Sequence, residues 1–169
     1  DCNDADADIS PGVTEISGNG VDDNCNGLQE ELLLSDAAVR WTGTYNTGAA
    51  GRSVAGVGDV DGDGQDDLLI GAPGHDEEGE DAGAAFLIRG GLIEGAEVSL
   101  DDSWAEIYGE QYGDEAGYAV AGPGDVDGDG YDDILIGAPL QGYDAGAAYL
   151  LLGPISGRLE LDEADVKLT

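Results

Sequence analysis

Residues Gly58–Pro73 read GDVDGDGQDDLLIGAP, and residues Gly124–Pro139 read GDVDGDGYDDILIGAP. The copies lie 66 residues apart and differ only at Gln65 against Tyr131 and Leu68 against Ile134. Each spells a run of carboxylates and then, at once, an apolar run. Each copy holds five acids, of which Asp59, Asp61, Asp63 and Asp67 in the first, and Asp125, Asp127, Asp129 and Asp133 in the second, fall at regular loop positions. The spacing is D-x-D-x-D-G-x-x-D, which lets alternate residues of a tight loop converge on one point. Hard oxygens at loop positions 1, 3, 5 and 9, with a backbone carbonyl at position 7, make a Ca²⁺ cage. Gly64 and Gly130 permit the sharp turn between them. Position 7 is Gln65 or Tyr131, a harmless variation where only the carbonyl is used. Mg²⁺ suits such a cage less well, because it usually keeps several waters. Without a cation, the clustered carboxylates would repel and raise one another's pKa values.

The repetition extends outward from the loops. AGRSVAGVGDVDGDG from Ala50 matches AGYAVAGPGDVDGDG from Ala116, and DAGAAFLIRGG from Asp81 matches DAGAAYLLLGP from Asp144. By that point the offset is 63, so the GHDEEGE segment from Gly74 carries three extra residues. Insertions of this kind belong on the surface. A weaker element recurs as LLSDAAVRWTG from Leu33, SLDDSWAEIYG from Ser99 and ELDEADVKLT from Glu160. Two full repeats therefore occupy 32–160, at about 34–99 and 100–160, and 161–169 opens a third.

Short apolar runs bounded by Gly, Pro and Asp predict strands buried on both faces. The first strand of each repeat is expected at Arg52–Val57 or Tyr118–Ala121. The second is expected at Leu68–Gly71 or Ile134–Gly137, and the third at Ala84–Arg89 or Ala147–Leu152. Val98–Leu100 with Ala105–Tyr108 forms the fourth. An all-β array of propeller or solenoid type follows. The small residues of IGAP and AGAA suit strands crowded near a central axis.

Composition narrows the function. The chain has 38 acidic and 5 basic residues, a formal charge of −33. No basic footprint exists for nucleic acid, and an anionic membrane is disfavoured for the same reason. At 41% hydrophobic residues gathered in blocks, the chain has the apolar content that disordered acidic segments lack. No apolar run approaches the ~20 residues of a membrane span. The two cysteines, Cys2 and Cys25, share one Asp/Asn-rich segment, which favours a disulfide and an oxidising, extracellular setting. Asp1 lies inside a motif, as in a mature or trimmed piece of a longer precursor.

At this point the repeats resemble FG-GAP repeats, the Ca²⁺-binding blades of integrin-α-type β-propellers. The residues that carry the resemblance are AGRSVAGVGDVDGDGQDDLLIGAP and AGYAVAGPGDVDGDGYDDILIGAP. The family's Phe-Gly is replaced by Ala-Gly before Arg52 or Tyr118. The resemblance implies two four-stranded blades out of phase with the sequence repeat, each repeat opening with the outermost strand of the blade before it. Residues 100–108 would finish the first blade and 161–169 the second, while 32–43 would finish a blade absent from the chain.

Residues 1–31 resemble an Asp- and Cys-rich metal-binding motif of bacterial surface proteins. Asp22, Asn24, Asn26, Leu28 (through its carbonyl) and Glu30 repeat the cage spacing with two neutral amides. Asp4, Asp6, Asp8 and Glu15 fall at positions 1, 3, 5 and 12 of an EF-hand-like loop, with Ile9 where the turn glycine would stand. Two to four Ca²⁺ ions are expected in all.

No catalytic constellation is evident. His75, the one histidine, sits in the GHDEEGE insertion and reads as part of a solvated acidic loop. The expected protein is not an enzyme. It is an extracellular or cell-surface calcium-binding structural protein that assembles head-to-tail with itself into a ring or filament. The alternative is an adhesion or recognition fragment of a larger propeller that binds a cell-surface protein or glycan.

Overall fold

A computed structural model describes residues 39–43, 48–91 and 96–169. The N-terminal module, with Cys2, Cys25 and the Asp4 and Asp22 loops, lies outside the described residues, as does 32–38. The chain divides into two compact units, residues 1–40 with 94–96 and residues 41–93 with 97–169. The second unit holds both acidic loops and the strands from Ser53 to Ile88 and from Ala105 to Leu168.

The described part is all-β apart from short helical turns. β1 is Val39–Thr42, β2 Ser53–Gly58, β3 Asp67–Ala72, β4 Ala84–Ile88, β5 Ala96–Ser99 and β6 Ala105–Tyr108. β7 is Ala119–Gly124, β8 Asp133–Ala138, β9 Ala147–Leu151, β10 Gly157–Glu160 and β11 Val166–Leu168. The strands of each repeat follow one another as an antiparallel meander. β2-β3-β4-β6 form the first sheet and β7-β8-β9-β11 the second. β6 lies beyond β4 in the first sheet, and β11 lies beyond β9 as the outermost strand of the second.

Two features depart from the expected pair of four-stranded sheets. β10 adds a fifth strand to the first sheet, running parallel to β6 with Gly157 opposite Ala105. The expected fourth strand also splits. The turn Leu100–Asp102, capped by the Ser99 hydroxyl, sends β5 to pair with β1, while β6 stays on β4. Leu100, the first residue of the turn, is buried and packs in the core cluster with Ile70, Phe86 and Tyr108.

Alternation along the strands explains the core. Leu69, Ala85, Leu87, Ala105 and Ile107 leave one face of the first sheet and meet Ile134, Ile136, Tyr149 and Leu151 from the second. Ile70, Phe86 and Ile88 leave the opposite face and pack with Leu100, Tyr108 and the half-buried Trp41. β4 is buried along its whole length because both its faces are used. Each such Leu or Ile contributes about 1.5–3 kcal/mol by leaving water. The second sheet repeats the pattern, but its far face carries Val166 and Leu168 at 41% and 58% exposure.

The small residues sit where main chain passes close to main chain. A Cβ on Gly71 would lie 2.0 Å from the Gly117 carbonyl oxygen, and one on Gly117 would lie 2.1 Å from that of Ala84. The Ser53 hydroxyl also donates to the Gly117 carbonyl at 2.8 Å. The main chains of the two repeats therefore pass in direct contact.

His75 is a correction to the sequence reading. It is buried, with its ring 5.6 Å from Phe86 and 5.5 Å from Tyr108. Its carbonyl accepts from Gly83 N–H at 2.9 Å, which pulls the start of the insertion under the sheet edge. The acidic remainder stays outside, where Glu77 and Glu78 hold Arg158 of β10.

Candidate metal centres

Each acidic loop joins the first two strands of its sheet. Asp59 Oδ1 and Oδ2 accept from Gly62 and Gly64 N–H at 2.8 and 2.9 Å. Asp61 and Asp63 each accept from the amide two residues on, at 3.0 and 2.9 Å. Such side-chain turns wind the loop inward with no help from a core. Gly64 at φ +87 and Gly130 at φ +100 take the left-handed backbone the bend requires. Asp67 stands at the start of β3 and ties the loop shut. Its oxygens accept from Val60 N–H at 3.0 Å and Gly90 N–H at 2.9 Å.

The second loop reproduces these bonds. Asp125 accepts from Gly128 and Gly130, Asp127 from Asp129, and Asp129 from Tyr131. Asp133 accepts from Val126 and Gly153 at 2.7 and 2.9 Å. In both loops the carboxylates at positions 1, 3 and 9 converge. Oxygens of Asp59, Asp61 and Asp67 lie within 4.8 Å of one another, and so do those of Asp125, Asp127 and Asp133. Asp63 and Asp129 accept from the amides of Gln65 and Tyr131, the residues at position 7. Burial pushes the Asp67 carboxyl above the usual range. The Gly90 and Val60 amides oppose that shift, while Asp61 and Asp63 add to it.

The donor set fits a hard divalent cation, being all oxygen and mostly anionic. The first loop already holds a positive group. Arg89 Nε lies against Asp61 Oδ2, and Arg89 Nη2 is 3.0 Å from Asp63 Oδ2. The Asp61 side chain is only 3% exposed, so its charge is seated in the loop and not turned to solvent. Asp61 Oδ2 and Arg89 Nε are buried without a well-formed hydrogen bond, so the contact is a charge pairing.

Sequence reasoning missed Arg89, and it also missed Asp132. Asp132 Oδ2 accepts from Asp59 N–H at 2.9 Å, and Asp132 N–H donates to the Asp59 carbonyl at 3.1 Å. The second loop thereby clasps the first ligand of the first loop. Tyr131, expected to matter only through its carbonyl, packs so near Gly62 that a Cβ there would meet its ring at 2.4 Å. The signal available was the first Asp of each DD pair, Asp66 or Asp132, a residue the cage spacing does not need.

Asp132→Ala is expected to cost about 1–2 kcal/mol, the scale of a charged acceptor lost from a partly buried amide. The amide of Asp59, in the other repeat, should then exchange faster with deuterium. Unchanged protection at Asp59 would show that the clasp is not formed in solution.

Among the described residues, no helix is long and apolar enough to cross a membrane. Family models match residues 50–88 and 116–151 as FG-GAP repeat, and residues 1–31 under the description "Putative metal-binding motif". Integrin alpha pat-2 of Caenorhabditis elegans is 30% identical over 174 residues, 90% of this chain and 14% of that protein. Integrin alpha-PS2 of Drosophila melanogaster is 40% identical over 107 residues, 57% of this chain and 6% of that protein. Integrin alpha-IIb of Homo sapiens is 40% identical over 116 residues, 63% of this chain and 10% of that protein. The chain thus spans 14% or less of the length of these curated relatives.

Proposed function

The chain is built from FG-GAP repeats behind a metal-binding motif, and from that premise we propose a non-catalytic, calcium-dependent recognition segment. In this reading the two sheets are neighbouring blades of an integrin-α-like propeller, displayed outside the cell. The observation that carries it is the recurrence of one carboxylate cluster, with the same backbone bonds, at the same place in both sheets. The ion's task is structural. It neutralises Asp59, Asp61, Asp63 and Asp67, or Asp125, Asp127, Asp129 and Asp133, and so fixes the entry of β3 and β8 into the core. The N-terminal module, closed by Cys2 and Cys25, holds further calcium through Asp22, Asn24, Asn26, Leu28 and Glu30 and through Asp4, Asp6, Asp8 and Glu15. The partner is a cell-surface protein or glycan.

The far face of the second sheet supports a place within a larger propeller. Leu135, Leu150, Val166 and Leu168 stand where Leu69, Leu87, Ala105 and Ile107 receive the neighbouring sheet in the first repeat. Neither the fold nor the relatives supports the ring or filament of identical copies. Ion counting tests the assignment. Native mass spectrometry at saturating Ca²⁺ is expected to find one ion fewer in Asp61→Ala and one fewer in Asp127→Ala. Full stoichiometry in either variant would overturn the reading of that loop.

A further inference from the structure

The two loops share their carboxylates and their backbone bonds, yet they differ by one charge. Arg89, just past β4, lies against Asp61 and Asp63. Its guanidinium also sits 4.2 Å over the Trp104 ring. Trp104 is pinned in turn, donating through Nε1 to the Ile155 carbonyl at 3.0 Å. The second repeat has Leu152 in the place of Arg89 and Asp165 in the place of Trp104. There Asp165 accepts from Leu152 N–H at 2.9 Å and brings no cation to the loop.

We propose that Arg89 is an internal counter-cation that makes the first loop the weaker of the two calcium sites, so that the second loop fills first. The inference rests on the reading of both loops as ion sites. Asp61 and Asp63 stand at positions 3 and 5, where an ion needs them. A divalent ion entering the first loop must displace the guanidinium or share its field, and like charges oppose either course. The Trp104 face gives the displaced guanidinium a place to rest, since a cation over an aromatic ring remains favourable. Arg89 is 40% exposed, so solvent screens the repulsion and the penalty is moderate. The same pairing relieves carboxylate repulsion in the ion-free first loop. Among the described residues no basic side chain pairs with the carboxylates of the second loop, which therefore depends more on its ion.

Calcium calorimetry on the full chain tests this in two backgrounds. Asp127→Ala leaves the first loop as the intact repeat site, and adding Arg89→Leu, the residue type of the second repeat, should tighten that site by about tenfold. Asp61→Ala leaves the second loop intact, and adding Leu152→Arg should weaken it. The wild type should show the second loop tighter than the first. Unchanged or weaker binding in Arg89→Leu overturns the proposal. Should circular dichroism show that Arg89→Leu fails to fold, the Leu152→Arg arm decides, and unchanged affinity there overturns it. Equal affinities at both wild-type loops sink this inference alone. Absence of calcium binding at either loop sinks the reading beneath it as well.

Discussion

Removing calcium from the full chain is expected to lower its melting temperature by roughly 10–20 °C. An ion that binds only the folded state adds about 2.7 kcal/mol at a hundredfold excess over its Kd. Two loops together give about 5 kcal/mol, and for a chain of this size each kcal/mol moves the midpoint by ~2–4 °C. The direction follows from the charge. At −33, the chain places five acids within nine residues at each of the two points where β2 meets β3 and β7 meets β8. Thermal melts with and without a chelator, at fixed ionic strength, check it. Matched magnesium should restore only part of the loss, since it accepts an all-protein cage poorly. Coincident melts with and without chelator would remove calcium from the account of stability.

The second large effect needs no metal. Gly117→Ala is expected to destabilise the chain by roughly 2–5 kcal/mol. The residue has φ +81, which costs an L side chain about 1–2 kcal/mol. Its new Cβ would also lie 2.1 Å from the Ala84 carbonyl oxygen, main chain that cannot turn aside. Forced overpacking of that kind costs about 1–3 kcal/mol. Gly51→Ala is the control, because Gly51 has φ +83 and nothing within 4 Å of the added atom. It should lose only the backbone component. Denaturant unfolding of both variants separates the two, and equal losses would show that the close approach of the repeats is not maintained in solution.

The strands and the acidic loops were legible because local chemistry alone specifies them. Leu69, Ile70 and Leu87 sit in short apolar runs with Gly or Asp at the ends. Asp59 through Asp67 bond mostly to amides a few residues away. What escaped the sequence is what depends on distant partners. Asp132 bonds to Asp59 across 73 residues. Arg89 looked like the last residue of a strand, and its importance appears only where Leu152 replaces it. His75 was misjudged because an insertion seemed to be surface throughout. Its first residues are buried by Phe86 and Tyr108, which the acidic letters around it conceal. The split between β5 and β6 was hidden because Leu100, which read as the end of an apolar strand, is buried in a turn instead.

The strap formed by β10 on β6 has a consequence for the order in which the protein can be made. Chains emerge from the ribosome at about 5–20 residues per second, N-terminus first. β6 ends at Tyr108, but the strand that covers its outer edge begins at Gly157. Between them come β7, β8 and β9, the inner strands of the next sheet. The first sheet therefore waits with an open edge while its successor is still being synthesised, and open edges invite pairing with other chains. The second repeat, once made, seals the first. Vectorial synthesis thus becomes a zipper that closes one tooth behind the growing end. A pause in translation between 109 and 156 would leave the nascent chain at its most adhesive.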